Sequence, residues 1–284
     1  MTQRPRRSVL YMPGANERAL EKAKALDADA LILDLEDAVA PDAKVEARTR
    51  VAASVKAGGY GRRELVIRIN GFDTPWGEDD MQAAIAAAPD AILVPKVRCG
   101  ADVTRAAAML AEAPPHTKLW VMMETPLAML KAEEIAGSEP RLSCLVLGTN
   151  DLVKETGASS GAQRFALVPI LSTAVLAARA HGLDVIDGVY NDFRDEAGFR
   201  KECEQGRMLG MDGKTLIHPG QIALCNEVFS PPPDEVAWSI KIIAAFALPE
   251  NAAKGVITLD DKMVERLHLS MAMRVVAIAG AISE

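Results

Sequence analysis

Two acidic residues, Glu124 and Asp151, stand behind apolar segments of the sequence and could together bind a metal ion. Residues 119–123 read L-W-V-M-M and lead directly to Glu124, and residues 142–147 are followed by Gly-Thr-Asn before Asp151. Uninterrupted apolar runs of this kind are typical of strands buried on both faces of a sheet. If both runs are strands of one parallel sheet, the two carboxylates are predicted to meet at its carboxyl edge.

The predicted pair of carboxylates has no accompanying Cys or His cluster and therefore favours Mg²⁺, which needs only one or two protein carboxylates and keeps several waters. Such an ion polarises a carbonyl group and stabilises an enolate while negative charge develops on oxygen. Arg68 ends another apolar run and offers a planar fork of donors for a carboxylate or an enolate oxygen. The combination predicts carbon–carbon bond making or breaking beside a carbonyl.

Each of these residues also has a purely structural interpretation. Glu124 could stabilise the helix that starts behind it, through the helix dipole. Asp151 could be a helix N-cap, and Arg68 could form a rim ion pair with Asp34 or Asp37. The catalytic interpretation depends on all of them sharing one rim.

The elements that must position these residues are short apolar runs that alternate with alanine-rich amphipathic segments. Eight strands are predicted, near 8–12, 30–35, 65–69, 91–94, 119–123, 142–147, 183–186 and 215–217. Because a helix candidate follows each strand, the α/β pattern predicts a (β/α)₈ TIM barrel, with an open doubly wound sheet as the alternative. In such barrels the active site lies at the carboxyl ends of the strands.

Three consecutive prolines, which begin at Pro231, separate the predicted barrel (1–230) from a C-terminal extension (231–284). The extension is predicted to contain a helix near 234–247, a polar stretch from 249 to 261 and a last helix from about 262 to 282. We interpret it as a lid or arm that packs on a neighbouring subunit.

The composition of the 284-residue chain excludes several classes of protein. A net charge of −7 argues against binding to nucleic acid by bulk electrostatics. The four cysteines show no C-x-x-C spacing, which suggests neither a zinc site nor a disulfide framework. The N-terminal apolar stretch is too short for a secretion signal, and no uninterrupted apolar run approaches the length that spans a bilayer. We therefore expect a cytoplasmic protein that binds no membrane.

Eight segments along most of the chain resemble the citrate lyase β-subunit-like, malyl-CoA lyase-type (HpcH/HpaI aldolase) family. They are R-S-V-L-Y-M-P-G-A-N at 7–16, L-I-L-D-L-E-D-A-V at 31–39, I-R-I-N at 67–70, V-P-K-V at 94–97, M-E-T-P at 123–126, G-T-N-D-L at 148–152, and G-K-T-L-I-H-P-G-Q-I at 213–222 with N-E-V-F-S-P at 226–231. The resemblance implies a Mg²⁺-dependent barrel that cleaves or forms a β-hydroxyacyl-CoA thioester, of malyl, citramalyl or citryl type, together with a small keto acid. It also implies a homotrimer or hexamer.

The same resemblance assigns roles to individual residues. Glu124 and Asp151 would hold Mg²⁺, and Glu124 and Arg68 would contact the substrate's oxygens. Asp34 and Asp37 would hold water molecules bound to the metal. Arg7 and Lys22 would lie near the CoA portion.

One departure from the family pattern affects the proton-transfer step. Malyl-CoA lyase-like relatives carry a lid stretch that resembles L-D-G-x-M-I-D, whose last aspartate moves the proton at the methyl carbon of the acetyl thioester. Here residues 259–265 read L-D-D-K-M-V-E, so that Glu265 replaces the aspartate and Asp261 the glycine. Glu265 is the predicted catalytic acid, and an exposed helix acid is the alternative.

Two other reactions fit the resemblance besides carbon–carbon lysis. Hydrolysis of a malyl-CoA-type thioester would release free CoA without a keto acid or aldehyde. A citryl lyase β subunit would belong to a larger assembly and would receive its substrate on an acyl carrier protein.

Overall fold

Eight parallel strands close into a barrel in this computed structural model, which describes residues 4–159 and 161–283 except the side chains of residues 162 and 163. The strands are β1 (Ser8–Pro13), β2 (Ala30–Asp34), β3 (Glu64–Arg68), β4 (Ala91–Val94), β5 (Lys118–Met123), β6 (Leu142–Leu147), β7 (Asp184–Asp187) and β8 (Gly213–Leu216). Their order around the barrel follows the sequence, and β8 pairs with β1. The predicted fold class is confirmed.

Helices follow every strand of the barrel. They are α1 (Glu17–Ala23), α2 (Lys44–Ala57), α3 (Gly77–Ala87), α4 (Gly100–Met109), α5 (Pro126–Leu130), α6 (Ala132–Ala136), α7 (Thr149–Thr156), α8 (Val168–Ala180), α9 (Glu196–Leu209) and α10 (Ile222–Phe229). The helix predicted over 126–136 is two short helices, and α7 was not predicted. Asp151 lies in the first turn of α7 and is not its N-cap, which is Gly148.

Side chains alternate between the barrel interior and the helix layer, because successive residues of a strand point to opposite faces. The interior cluster contains Ile32, Val66 and Met122, each fully or almost fully buried. The next inward-facing residues lie two positions further along the chain, nearest the mouth of the barrel. They are Asp34, Arg68 and Glu124. Alternation within three apolar segments therefore delivers three ionisable side chains to one end of the barrel.

A second compact unit begins at Ser230. It contains α11 (Pro233–Ala247), β9 (Val256–Leu259), β10 (Lys262–Glu265) and α12 (Arg266–Ser283). β9 and β10 form an antiparallel hairpin, so the prediction of a polar stretch followed by a helix from residue 262 is wrong over these residues. By length and composition alone α12 is apolar enough to cross a membrane, and 6% of it is buried in this chain.

The hairpin turns through Asp260 and Asp261, whose φ angles are 48° and 60°. Two central residues at positive φ make a type I′ turn, which Asn-Gly and Asp-Gly favour because glycine adopts this conformation without strain. We expect Asp261→Gly to raise the free energy of unfolding by about 0.5–1 kcal/mol. Urea unfolding measures this change in the free energy of unfolding. The control is Asp234→Gly, a change in the first turn of α11 that should destabilise the unit. An unchanged or lower stability of Asp261→Gly would contradict the strain argument.

Candidate active site at the mouth of the barrel

Strand register places Arg68 beside Asp34, because these two residues pair across β2 and β3. The guanidinium Nε and Nη2 each donate to one oxygen of Asp34, both over 2.7 Å. Nη1 lies 2.8 Å from Glu36 Oε2 and 3.4 Å from Asp37 Oδ2. Asp34 also accepts the backbone N–H groups of Glu36 and Ala38. Both oxygens of Asp34 therefore fix the guanidinium and the loop after β2 together.

Tyr11 covers one side of this guanidinium and was missed by the sequence analysis. Its ring centroid lies 4.7 Å from the Arg68 Cζ, and its hydroxyl lies 3.5 Å from Met122 Sδ. Burial raises the pKa of the phenol above its usual value. Strand alternation could have predicted that the Tyr11 side chain points into the barrel, since Tyr11 lies two residues after the interior residue Val9.

Lys96 connects the two acids on which the metal prediction rests. Its backbone N–H donates to Glu124 Oε1 over 2.7 Å. Its ammonium donates to Asp151 Oδ1 over 2.8 Å and lies 3.5 Å from Glu124 Oε1. A single cation thus reaches both carboxylates, so Glu124 and Asp151 meet at the same mouth as the sequence predicts.

Two local features allow Glu124 to occupy this position. A Cβ at Gly148 would lie 2.3 Å from the Glu124 Cβ and 2.8 Å from its Oε2, so only glycine fits there. Behind Glu124 the helix α5 starts as predicted, with Pro126 in its first turn and the Thr125 hydroxyl accepting the N–H of Ala128 over 3.1 Å. The side chain of Glu124 is almost fully buried, at 1% exposure.

Burial and neighbouring charges both change the pKa values of the ionisable groups in the site. Burial raises the pKa of Glu124, against the lowering effect of Lys96. Burial also raises the pKa of Glu36, to about 8, against the lowering effect of Arg68. For Lys96, burial opposes the charge, but the hydrogen bond to Asp151 and the nearby acids raise the pKa above its usual value. Glu36 and Glu124 therefore hold their protons more readily than in water, and the Lys96 ammonium stays charged.

The donor set fits a hard divalent cation. Glu124 Oε2 is buried without a hydrogen-bond partner, although the other oxygen of the same carboxylate is bonded. Five acids, Asp34, Glu36, Asp37, Glu124 and Asp151, stand against the two cations Arg68 and Lys96. No group of three acid, Cys or His ligands exists among the described residues, so such an ion would complete its shell with water or substrate oxygens.

The pKa of Glu36 gives a testable pH dependence. Its folded-state pKa near 8 lies above the usual value, so ionisation favours the unfolded chain as pH rises from about 4.5 to 8. Relative to the wild type, we expect Glu36→Gln to gain about 4 kcal/mol of unfolding free energy between pH 5 and pH 8.5. Urea unfolding in EDTA measures this gain, and the exposed Glu17→Gln serves as the control. A constant difference would mean that Arg68 keeps Glu36 ionised throughout.

A cavity of about 290 Å³ opens between these groups. Its lining includes Tyr11, Asp34, Asp37, Arg68, Glu124, Asn150, Asp151 and Asn191. Asn150 and Asn191 exchange side-chain hydrogen bonds at its edge. Neutral donors and acceptors are thus also available to a ligand.

Other predicted residues lie elsewhere. Arg7 precedes β1 and pairs with Asp29 at the amino ends of the strands, and Lys22 is in the last turn of α1, so the structure places neither beside the cavity. Glu265 ends β10 in the second unit, where its backbone N–H donates to His268. Its role in proton transfer, like the role of Asp34 and Asp37 in holding metal-bound water, stays a prediction.

Comparison with known proteins adds chemistry to this geometry. The family model described as HpcH/HpaI aldolase/citrate lyase matches residues 7–219. The (3S)-malyl-CoA thioesterase of Cereibacter sphaeroides (strain KD131) is 51% identical over 279 residues, which cover 98% of this chain and 96% of the relative. The L-malyl-CoA/beta-methylmalyl-CoA lyase of the same organism is 34% identical and covers 99% of this chain and 96% of its own.

Solved structures give a matching result. The protein CitE from Mycobacterium tuberculosis, in complex with magnesium, acetoacetate and coenzyme A, is 28% identical with a TM-score of 0.77. The match covers 97% of this chain and 98% of the other. The likeness extends beyond the barrel, because it includes most of the residues after Ser230.

Proposed function

The chain belongs to the HpcH/HpaI aldolase/citrate lyase family and is an enzyme that acts on acyl-CoA thioesters, and from this premise we propose that it hydrolyses a malyl-CoA-type thioester. The observation that carries this choice is the difference between 51% identity to a malyl-CoA thioesterase and 34% identity to a malyl-CoA lyase, each over nearly the whole chain. The sequence analysis put the Mg²⁺-dependent lyase first. The comparisons support its alternative better.

The residues of the mouth suit a reaction in which negative charge develops on the thioester oxygen. Asp34 takes one N–H of Nη2 and the N–H of Nε, and a guanidinium carries five N–H donors. The second N–H of Nη2 has no role in that pairing, and we propose that it binds the thioester oxygen. Because Asp34 and Tyr11 hold the guanidinium from two sides, it needs little rearrangement as charge develops, which is the condition for effective electrostatic stabilisation.

Glu124 and Asp151 would hold Mg²⁺, which when bound polarises the carbonyl group and neutralises the carboxylate end of the substrate. The unpaired, buried Oε2 of Glu124 supports this assignment. Glu124 itself is fixed by the backbone N–H of Lys96 and by its contact with Gly148. Hydrolysis then requires a water molecule at the carbonyl carbon, and the cavity beside Asn150 and Asn191 has room for it.

Analysis of products tests the proposal. The purified enzyme is incubated with (3S)-malyl-CoA and Mg²⁺, free thiol is measured continuously, and malate, glyoxylate and acetyl-CoA are separated by chromatography. We expect free CoA and malate in equal amounts, without glyoxylate. Glyoxylate with acetyl-CoA would overturn the proposal in favour of the lyase. Acetyl-CoA alone serves as the control for hydrolysis of a lyase product.

The lyase is the second candidate, because the enolate of carbon–carbon cleavage carries its charge on the same thioester oxygen that Arg68 would bind. It additionally needs an acid to move a proton at carbon, and Glu265 is the proposed residue. Condensation of acetyl-CoA with glyoxylate or pyruvate, measured in the wild type and in Glu265→Gln, tests it. A citryl lyase β subunit that uses an acyl carrier protein would instead copurify with partner chains.

We also propose that the enzyme is a cytoplasmic homotrimer or hexamer whose C-terminal residues, 231–284, act as a lid or arm on a neighbouring subunit. The support is the exposed apolar side chains of α12, Leu267, Met271 and Met273. A protein surface or a membrane could cover such a helix. Light scattering of the purified protein should give a trimer or hexamer, and sedimentation with liposomes should give no bound fraction; a monomer that binds liposomes would contradict the proposal.

A further inference from the structure

Lys96 contacts the acid pair of the mouth by two independent routes. Its backbone N–H holds Glu124, and its ammonium holds Asp151 at 2.8 Å while it also lies 3.5 Å from Glu124. The residue has a φ of 55°, in the left-handed region that is unfavourable for a side chain with a Cβ. A strained backbone at a position with three contacts to two acids indicates that the geometry of Lys96 serves the site.

The ammonium lies within 3.5 Å of one oxygen of each carboxylate, so a divalent cation bound between those same two oxygens would need its position. It donates to Asp151 Oδ1 over 2.8 Å and lies 3.5 Å from Glu124 Oε1. Magnesium binds carboxylate oxygens at about 2.0–2.1 Å and demands its own octahedral shell, so ammonium and metal ion cannot share this space. Their like charges would also repel at such short range.

We propose that Lys96 is a built-in counter-ion for Glu124 and Asp151, which keeps the acid pair assembled in the metal-free enzyme and leaves it when a divalent cation binds. This inference rests on the proposed role of the two acids as metal ligands. On this proposal Mg²⁺ must displace the Lys96 ammonium when it binds, so its measured affinity includes the loss of the ammonium's contacts. The ammonium therefore weakens metal binding, while the backbone N–H continues to hold Glu124.

The side chain is built for such an exchange. It is one-third exposed, whereas Glu124 is almost fully buried, so the ammonium can turn out to solvent and the carboxylate cannot. The ammonium that donates to Asp151 is carried on a flexible four-carbon stem. The backbone N–H that donates to Glu124 is instead held in place by the chain on either side. A substitution that removes only the ammonium therefore distinguishes the effect of the side-chain contact from that of the backbone contact.

Lys96→Met is the variant that makes this separation, because it keeps the backbone N–H, the unbranched stem and the same strain at positive φ. Isothermal titration with Mg²⁺ measures the affinity in the absence of substrate. We expect Lys96→Met to bind Mg²⁺ about tenfold more tightly than the wild type, since no bound cation has to be displaced. Lys96→Gln, which is also uncharged, should change in the same direction. Lys154→Met, which removes an exposed lysine from α7, should change less than twofold.

Thermal unfolding gives a second readout that does not depend on activity. In EDTA, Lys96→Met should melt below the wild type, because two neighbouring carboxylates lose their shared cation. Saturating Mg²⁺ should close the gap, because the tighter site gains more stability from its ligand. Unchanged or weaker Mg²⁺ binding by both Lys96→Met and Lys96→Gln would overturn the proposal. If Glu124→Gln still binds Mg²⁺ like the wild type, the ligand assignment itself is wrong, which is a separate outcome.

Discussion

Replacing Glu124 by glutamine should abolish measurable Mg²⁺ binding and lower kcat/KM for the thioester by about a thousandfold or more. The amide has the size of the carboxylate and can still accept the Lys96 N–H through its oxygen, so the barrel should keep its fold. What is lost is the negative charge and the free Oε2, which is buried without a partner in the structure. Titration calorimetry and steady-state kinetics at several Mg²⁺ concentrations measure both effects.

A matched control for this change is Glu155→Gln, which removes an exposed carboxylate from α7, the helix that also carries Asp151. It should leave Mg²⁺ affinity and kcat/KM within about twofold, because exposed charges at this distance are screened. If Glu124→Gln keeps wild-type Mg²⁺ affinity and loses only activity, Glu124 contacts the substrate without holding the ion. If it keeps both, the mouth of the barrel is not the active site.

The barrel and the meeting of Glu124 with Asp151 could be predicted because both follow from periodicity. Strands buried on both faces leave apolar runs in the sequence, and eight such runs between helices permit few architectures. Once the runs are strands of one parallel sheet, residues at their carboxyl ends share a rim whatever the details of packing. The prediction needed no side-chain geometry.

Contacts that depend on side-chain conformation could not be predicted in this way. The sequence analysis named Asp34 and Asp37 as possible ion-pair partners of Arg68, and it could not assign the donors among them. In the structure Asp34 accepts from Nε and Nη2, while Glu36 and Asp37 both lie near Nη1. Lys96 gave no signal of its left-handed backbone, because that conformation is read from glycine or asparagine.

The C-terminal hairpin was missed for a related reason. Each of its strands has only four residues, too few for alternation to be distinguished from the start of a helix. Its turn is Asp-Asp, whereas Asp-Gly would have signalled a type I′ hairpin. Glu265 therefore was assigned to a helix, although it ends the second strand.

Replacing Arg68 by lysine should lower kcat/KM by about a hundredfold to a thousandfold while leaving Mg²⁺ affinity within a few-fold of the wild type. Lysine keeps the positive charge among Asp34, Glu36 and Asp37, so the electrostatic balance near the acid pair changes little. It cannot make two parallel hydrogen bonds to Asp34 and still present a donor to the thioester oxygen. Stopped assays of thiol release give kcat/KM, and titration calorimetry gives the affinity for Mg²⁺.

Arg105→Lys is the matched control, because Arg105 also pairs with an acid, Glu78 at 2.7 Å, and stacks on an aromatic ring, Phe72 at 4.8 Å. Arg105 is exposed, so its replacement should have almost no effect on kcat/KM. If Arg68→Lys falls no further than Arg105→Lys, then Arg68 is only a rim ion pair, and the thioester oxygen is stabilised by other groups. A loss of Mg²⁺ affinity equal to that of Glu124→Gln would instead show that Arg68 supports the acid pair, since charge development on the substrate does not enter metal binding.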